Sequence, residues 1–131
     1  MTLRRLATRP LAALAAALLS ACVQPPKVVG LMDVAERPAE KALLAGLRAY
    51  DDASYPESEK QLRAALQVGL ASARDRAVAH KHLAFIFCTS NRAKECEAEF
   101  RAAKVDDPTF ALSRSEAGHP LWGPVYKRVQ P

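Results

Sequence analysis

Apolar residues recur at helical spacing in four stretches between Glu36 and Pro108. The first begins near Pro38, a residue tolerated in an opening helical turn, and carries Ala42, Leu43, Gly46, Leu47 and Tyr50. "DDAS" breaks it. The second opens at Ser54, where Ser54 and Glu57 have the spacing of a capping box around Pro56. Its apolar face is Leu62, Ala65, Leu66 and Leu70, and Gly69 weakens its end. "ASARD" follows as a loop, with Ser72 and Asp75 as a second cap pair. The third stretch, about Arg74 to Cys88, sets Val78, Leu83, Ala84, Ile86 and Phe87 on its apolar side. "TSN" turns the chain into the fourth, about Arg92 to Val105, with Cys96, Phe100 and Ala103 inward, and "DDP" ends it. The predicted fold is all-α. Alanine is abundant and β-branched residues are scarce, which favours the same class.

Paired small and large positions repeat between the two halves. Gly46, Ser58, Leu62 and Ala65 precede Ala84, Cys96, Phe100 and Ala103 by about 38 residues. The small residues let two helix backbones approach, and Leu62 or Phe100 fills the space beside them. The pattern resembles two tetratricopeptide repeats of ordinary period 34 with extra residues in the central loop. A plain four-helix bundle is the rival reading, and the small–large register favours the repeats. So short a stack leaves an apolar end open. The tail from Phe110 offers Leu112, Leu121, Trp122, Val125, Tyr126 and Val129 as a cover. Ser113 and Glu116 can cap one turn ended by Gly118, and Gly123-Pro124 can start a short last helix. Packing is the preferred role for this tail. The alternative makes Trp122 and Tyr126 partner-binding anchors, because aromatics concentrate binding energy at interfaces.

The N-terminus has a different pattern. Arg4, Arg5 and Arg9 precede an apolar run, Leu11 to Leu19, too short for the ~20 residues of a bilayer-spanning helix. A basic segment followed by 7–15 apolar residues is the pattern of an export signal. "LSAC", Leu19 to Cys22, then resembles the lipobox of bacterial lipoproteins. That resemblance implies removal of residues 1–21 and covalent diacylglycerol on the Cys22 thiol, with an N-acyl chain on its amine. Val23 follows the cysteine, where an aspartate would favour inner-membrane retention, so the resemblance implies an outer-membrane anchor facing the periplasm. Residues 22–35 read as lipidated N-terminus and tether, reaching at most ~45 Å. The helical domain then covers 36–109 and the capping segment 110–131.

Charge and candidate chemistry change the picture little. The chain of 131 residues carries a formal +5, but without residues 1–21 it has 16 Lys+Arg against 14 Asp+Glu, a net +2. These charges are mixed along the chain, which argues against a nucleic-acid partner. No phosphate loop or nucleophile motif is present. Glu36 with Glu40, and Glu95 with Glu99, read as solvated surface charges. No enzyme activity, small-molecule substrate or cofactor is expected. With Cys22 acylated, Cys88 and Cys96 remain as a pair in an exported domain, placed for a disulfide across a helical hairpin; two buried thiols are the alternative. A metal site using His80 and His82 is disfavoured, since residues two apart on a helix point roughly 200° apart. His80 reads as packed, His82 as exposed and His119 as a turn residue.

"AYDDASYPESEKQLRAAL", "AHKHLAFIFCTSNRAKECEAEFRAA" and "DPTFALSRSEAGHPLWGPVY" together resemble a group of small bacterial lipoproteins associated with type VI secretion, the TssQ family. The paired cysteines and "GHPLWGPV" are the more specific features. The resemblance covers nearly all of the mature chain. It implies a lipid-anchored scaffold or adaptor, an accessory part of a contractile secretion apparatus, with the membrane and protein components as partners. An adaptor in envelope or outer-membrane assembly is the alternative, and an envelope enzyme or metal-binding protein the less favoured class.

Overall fold

The structure, a computed structural model, describes residues 30–131. Cys22 and the rest of the export-signal pattern lie outside the described residues. Seven helices occur among those described: α1 (Leu31–Ala35), α2 (Pro38–Asp51), α3 (Tyr55–Val68), α4 (Ala73–Thr89), α5 (Ala93–Asp106), α6 (Arg114–Ala117) and α7 (Gly123–Arg128). The all-α class and the antiparallel hairpins α2–α3 and α4–α5 are as expected. The first hairpin packs on the second through α3 and α4, and α7 closes on α5.

The small–large register is the packing rule of both hairpins. Ser58, Leu62 and Ala65 on α3, like Cys96, Phe100 and Ala103 on α5, are fully buried. Gly46 sits where any Cβ would lie 2.8 Å from Leu62 Cγ and Cδ2, so only glycine permits this approach of α2 to α3. The Ser58 hydroxyl uses the same closeness, donating to the Gly46 carbonyl at 2.8 Å. The interhelix turns repeat as well. Ala53 and Asn91, 38 positions apart, both adopt positive φ (57° and 64°). Beyond each, an N–H reaches back five residues: Ser54 to the Ala49 carbonyl and Arg92 to that of Phe87, both at 2.8 Å. These are Schellman closures, in which the left-handed residue lets the chain return onto the last helical turn.

That closure explains one departure from expectation. Ser54 is committed to ending α2, its ψ is 62°, and its side chain makes no cap bond to α3. The expected Ser54–Glu57 box is therefore not formed; Glu57 instead accepts from Gln61 at 2.7 Å. The other two caps are present. Ser72 Oγ accepts from the Asp75 N–H at 3.2 Å. Ser113 and Glu116 bond reciprocally, at 3.2 and 2.9 Å.

Three further expectations are corrected. The tether does not extend to Ala35: Leu31, Val34 and Ala35 have the i, i+3, i+4 spacing of a helix face, and α1 packs on α2. Glu40 is buried, accepting from the Ala71 N–H at 3.4 Å, and so joins the start of α2 to the α3–α4 loop. Glu99 is also no open surface charge, because it contacts His80 across the α4–α5 interface. For Glu99 the cause is position in the stack: helix α4 lies between the first hairpin and α5, so Leu83 to Phe87 are all buried and few of its sides face water.

Candidate functional site

Cys88, near the end of α4, and Cys96, in the first turn of α5, form a disulfide with 5.2 Å between their Cα atoms. Cys96 is buried and Cys88 half-buried. The bond fixes the end of α4 to the start of α5, next to the left-handed turn at Asn91. Beside it, the Arg92 guanidinium lies 4.1 Å from the Phe87 ring centroid and bonds Glu59 at 3.0 Å, tying this corner to α3.

The tail is built onto α4 and α5. Trp122 stacks on Phe85 with ring centroids 4.1 Å apart, and its Nε1 donates to the Glu116 carbonyl at 2.8 Å. The opposing ring is His119, centroid 3.4 Å from Trp122 and stacked nearly parallel to it. Tyr126 is buried against Phe100 and Phe110, and its hydroxyl accepts from the Leu112 N–H at 3.1 Å. Gly123 starts α7 where a Cβ would stand 2.5 Å from the Ala117 carbonyl oxygen, so the last two helices cannot be set this closely with a larger residue. Lys81 of α4 bonds Glu116 at 2.7 Å. Burial opposes ionisation of Glu116, but Lys81 and the Ser113 N–H and hydroxyl outweigh it and hold the carboxyl below its usual range. Trp122 and Tyr126, singled out as possible partner contacts, thus serve packing in this conformation.

His82 is not exposed. It lies half-buried between Tyr50 of α2 and Phe85, with centroids 5.0 and 5.9 Å away. A row of rings, Tyr50, His82, Phe85, Trp122, therefore links the first hairpin to the tail. Helical spacing could not show this, because it depends on α2 lying beside α4. Burial depresses the His82 pKa, and the neutral ring donates Nδ1–H to the Val78 carbonyl at 2.8 Å. His80 points away from this row. Its Nδ1 faces Glu99, its Nε2 faces Asp106 at 3.2 Å, and Arg76 shares Asp106 at 2.9 Å. The two histidines do not converge. Among the described residues no group of three or more His, Cys, Asp or Glu side chains is arranged to hold a metal ion.

Two open hollows flank α4. One, about 230 Å³, lies between α4 and the segment after α5, lined by Arg74, Val78, Lys81, Asp107, Thr109 and Phe110. Its rim carries both charge signs around an apolar floor. The other, about 210 Å³, lies under α1, between Leu31 and Val34 above and Leu43, Leu44, Leu47 and Val78 below. It is chiefly apolar. Neither is an enclosed cleft with convergent titratable groups. No helix among the described residues is long and apolar enough to cross a membrane. No family model matches the chain, and no match was found among curated proteins or solved structures.

Proposed function

We propose that this protein is a lipid-anchored scaffold or adaptor of the bacterial envelope, held at the outer membrane through Cys22 and facing the periplasm. The observation that carries the reading is the order of parts: a lipobox-like "LSAC" and a short connector lead into a two-hairpin stack whose cysteines are paired. A disulfide suits an oxidising compartment. A helical stack with an open hollow between α4 and the segment after α5 suits binding a segment of another protein. The protein acts by binding and not by catalysis. The mixed-charge hollow bounded by Arg74, Lys81 and Asp107 is the favoured contact site, since it combines both charge signs with the apolar Val78 and Phe110.

Within that class the resemblance to type VI secretion lipoproteins favours an accessory role in assembling or stabilising the contractile apparatus. Deleting the gene should reduce release of the tube protein from cells in which the system is active. Re-expression of the wild-type chain should restore release, and the Cys22→Ser chain should not. Undiminished release after deletion overturns the secretion role.

A further inference from the structure

Leu31 and Met32 are 85% and 72% exposed, and Leu44 is 41% exposed. They are contiguous: Met32 and Leu44 line one hollow with Lys41 and Arg48, and Leu31 and Leu44 line the next. Among the described residues the other exposed large apolar side chains lie elsewhere, Tyr55 and Val68 at the two ends of α3, Val105 on α5 and Leu121 between α6 and α7. We propose that this strip, on α1 and α2, rests on the phospholipid surface to which the chain is anchored, and so sets the orientation of the stack. The inference rests on the anchor reading of Cys22.

The occupant is chosen by where the chain enters. Gly30 opens α1 directly beside the strip, and it follows Cys22 by eight residues. Eight residues reach at most ~29 Å. Acyl chains at Cys22 therefore keep α1 within that distance of the bilayer, closer than any other element is constrained to be. At such an effective concentration a weak docking face is enough. Its polar rim has suitable charge. Arg37, Lys41 and Arg48 are exposed, Arg48 has no carboxylate partner among the described residues, and the Lys41–Glu36 pair is long at 3.8 Å and open to water. Basic side chains beside an apolar strip suit an anionic lipid surface. Asp33, Glu36 and Asp75 oppose this; the Asp33 carboxylate accepts from the Gly30 N–H at 3.1 Å and Glu36 faces Lys41. With α2 toward lipid, α5 and α7 lie on the far side of the stack, toward the periplasm.

The test uses the full, acylated protein in vesicles of phosphatidylethanolamine and phosphatidylglycerol. With Cys22 acylated and Cys88 bonded to Cys96, a Met32→Cys substitution supplies one free thiol for an environment-sensitive fluorophore. Val105→Cys, on α5, is the control. The expected result is blue-shifted emission at position 32, quenched by nitroxide-bearing lipids, with water-like, unquenched emission at 105. Adding Leu31→Asp and Leu44→Asp should abolish the shift at 32. Water-like emission at 32 in a protein that floats with the vesicles overturns the orientation and leaves the anchor intact. Equal quenching at 32 and 105 overturns it too, as does a shift at 32 that appears only when a protein partner is added. A chain that carries no acyl group and does not float overturns the anchor reading and this inference with it.

Discussion

Ala53 occupies, in the first hairpin, the left-handed turn that Asn91 occupies in the second. A Cβ in that conformation costs roughly 1–2 kcal/mol, and glycine avoids it at a cost of about 0.4–1 kcal/mol in unfolded-chain entropy. Ala53→Gly should therefore stabilise the protein by about 0.5–1 kcal/mol, raising Tm by a few degrees in a domain of this size. An unchanged or lower Tm contradicts the left-handed turn. His82 gives a prediction in pH. Its folded pKa lies below the unfolded value because burial penalises the charged ring. The unfolded chain then binds the extra proton first, so the contribution of His82 is complete above about pH 6.5 and is lost as pH falls below that. His82→Phe keeps a ring against Tyr50 and Phe85 and removes the titration. Between pH 7.5 and 5.5 the wild type should lose more denaturation free energy than the variant; parallel profiles contradict the buried neutral ring. Glu116 acts in a lower window. Its carboxyl is held below the usual range, so its contribution is complete above the usual carboxylate range and is lost progressively as pH falls from there through the depressed folded value.

Both hairpins turn through a left-handed residue, and a covalent tie is added to one of them. The second has the disulfide, which spans a separation of only eight residues, so chain entropy gives it about 2–3 kcal/mol. A Cys88→Ser, Cys96→Ser double variant should lose about 2–3 kcal/mol of denaturation free energy, and so unfold at a lower denaturant concentration, while keeping its helical circular dichroism. Loss of helix altogether would mean that the packing of Phe87 and Phe100 does not suffice. The tail is the second closing element. Trp122→Ala removes the ring between Phe85 and His119 and leaves the Glu116 carbonyl without its indole donor. Fully buried Trp→Ala changes cost ~3–5 kcal/mol, and Trp122 is half-buried, so about 3 kcal/mol is expected in chemical denaturation. A loss under about 1 kcal/mol would mark the tail as a segment readily displaced by a partner. Much of this was legible in the sequence, because apolar spacing and paired small positions are local properties of each helix. Gly46, Ser58, Cys96 and the Ser113–Glu116 cap belong to that legible set. The Ser54 cap was misread because its N–H and backbone angles were already committed to the preceding helix. His82 and Glu99 were misread because their burial depends on α4 being covered on both sides, and Glu40 because its partner is the distant Ala71 N–H. Helix α1 was hidden by its length, being too short to show a repeat of apolar spacing.

For the molecule as a whole, the described residues form a stack with a closed far end and an exposed apolar strip beside the point where the chain arrives. A tail that buries Tyr126 against Phe100 and Phe110 makes the end formed by α5 and α7 a finished surface. On the adaptor function proposed above, a partner would be met at the hollow between α4 and the segment after α5 and not by unfolding the cap. This account of location and orientation depends on one covalent event. The most direct measurement is the intact mass of the protein recovered from the bacterial membrane fraction, with fragment assignment of its N-terminal peptide. The account predicts a chain that begins at Cys22, carries diacylglycerol on sulfur and an acyl group on the amine, and becomes unacylated in Cys22→Ser. A chain recovered with residues 1–21 still attached, or one beginning at Cys22 with a free thiol and amine, would contradict it.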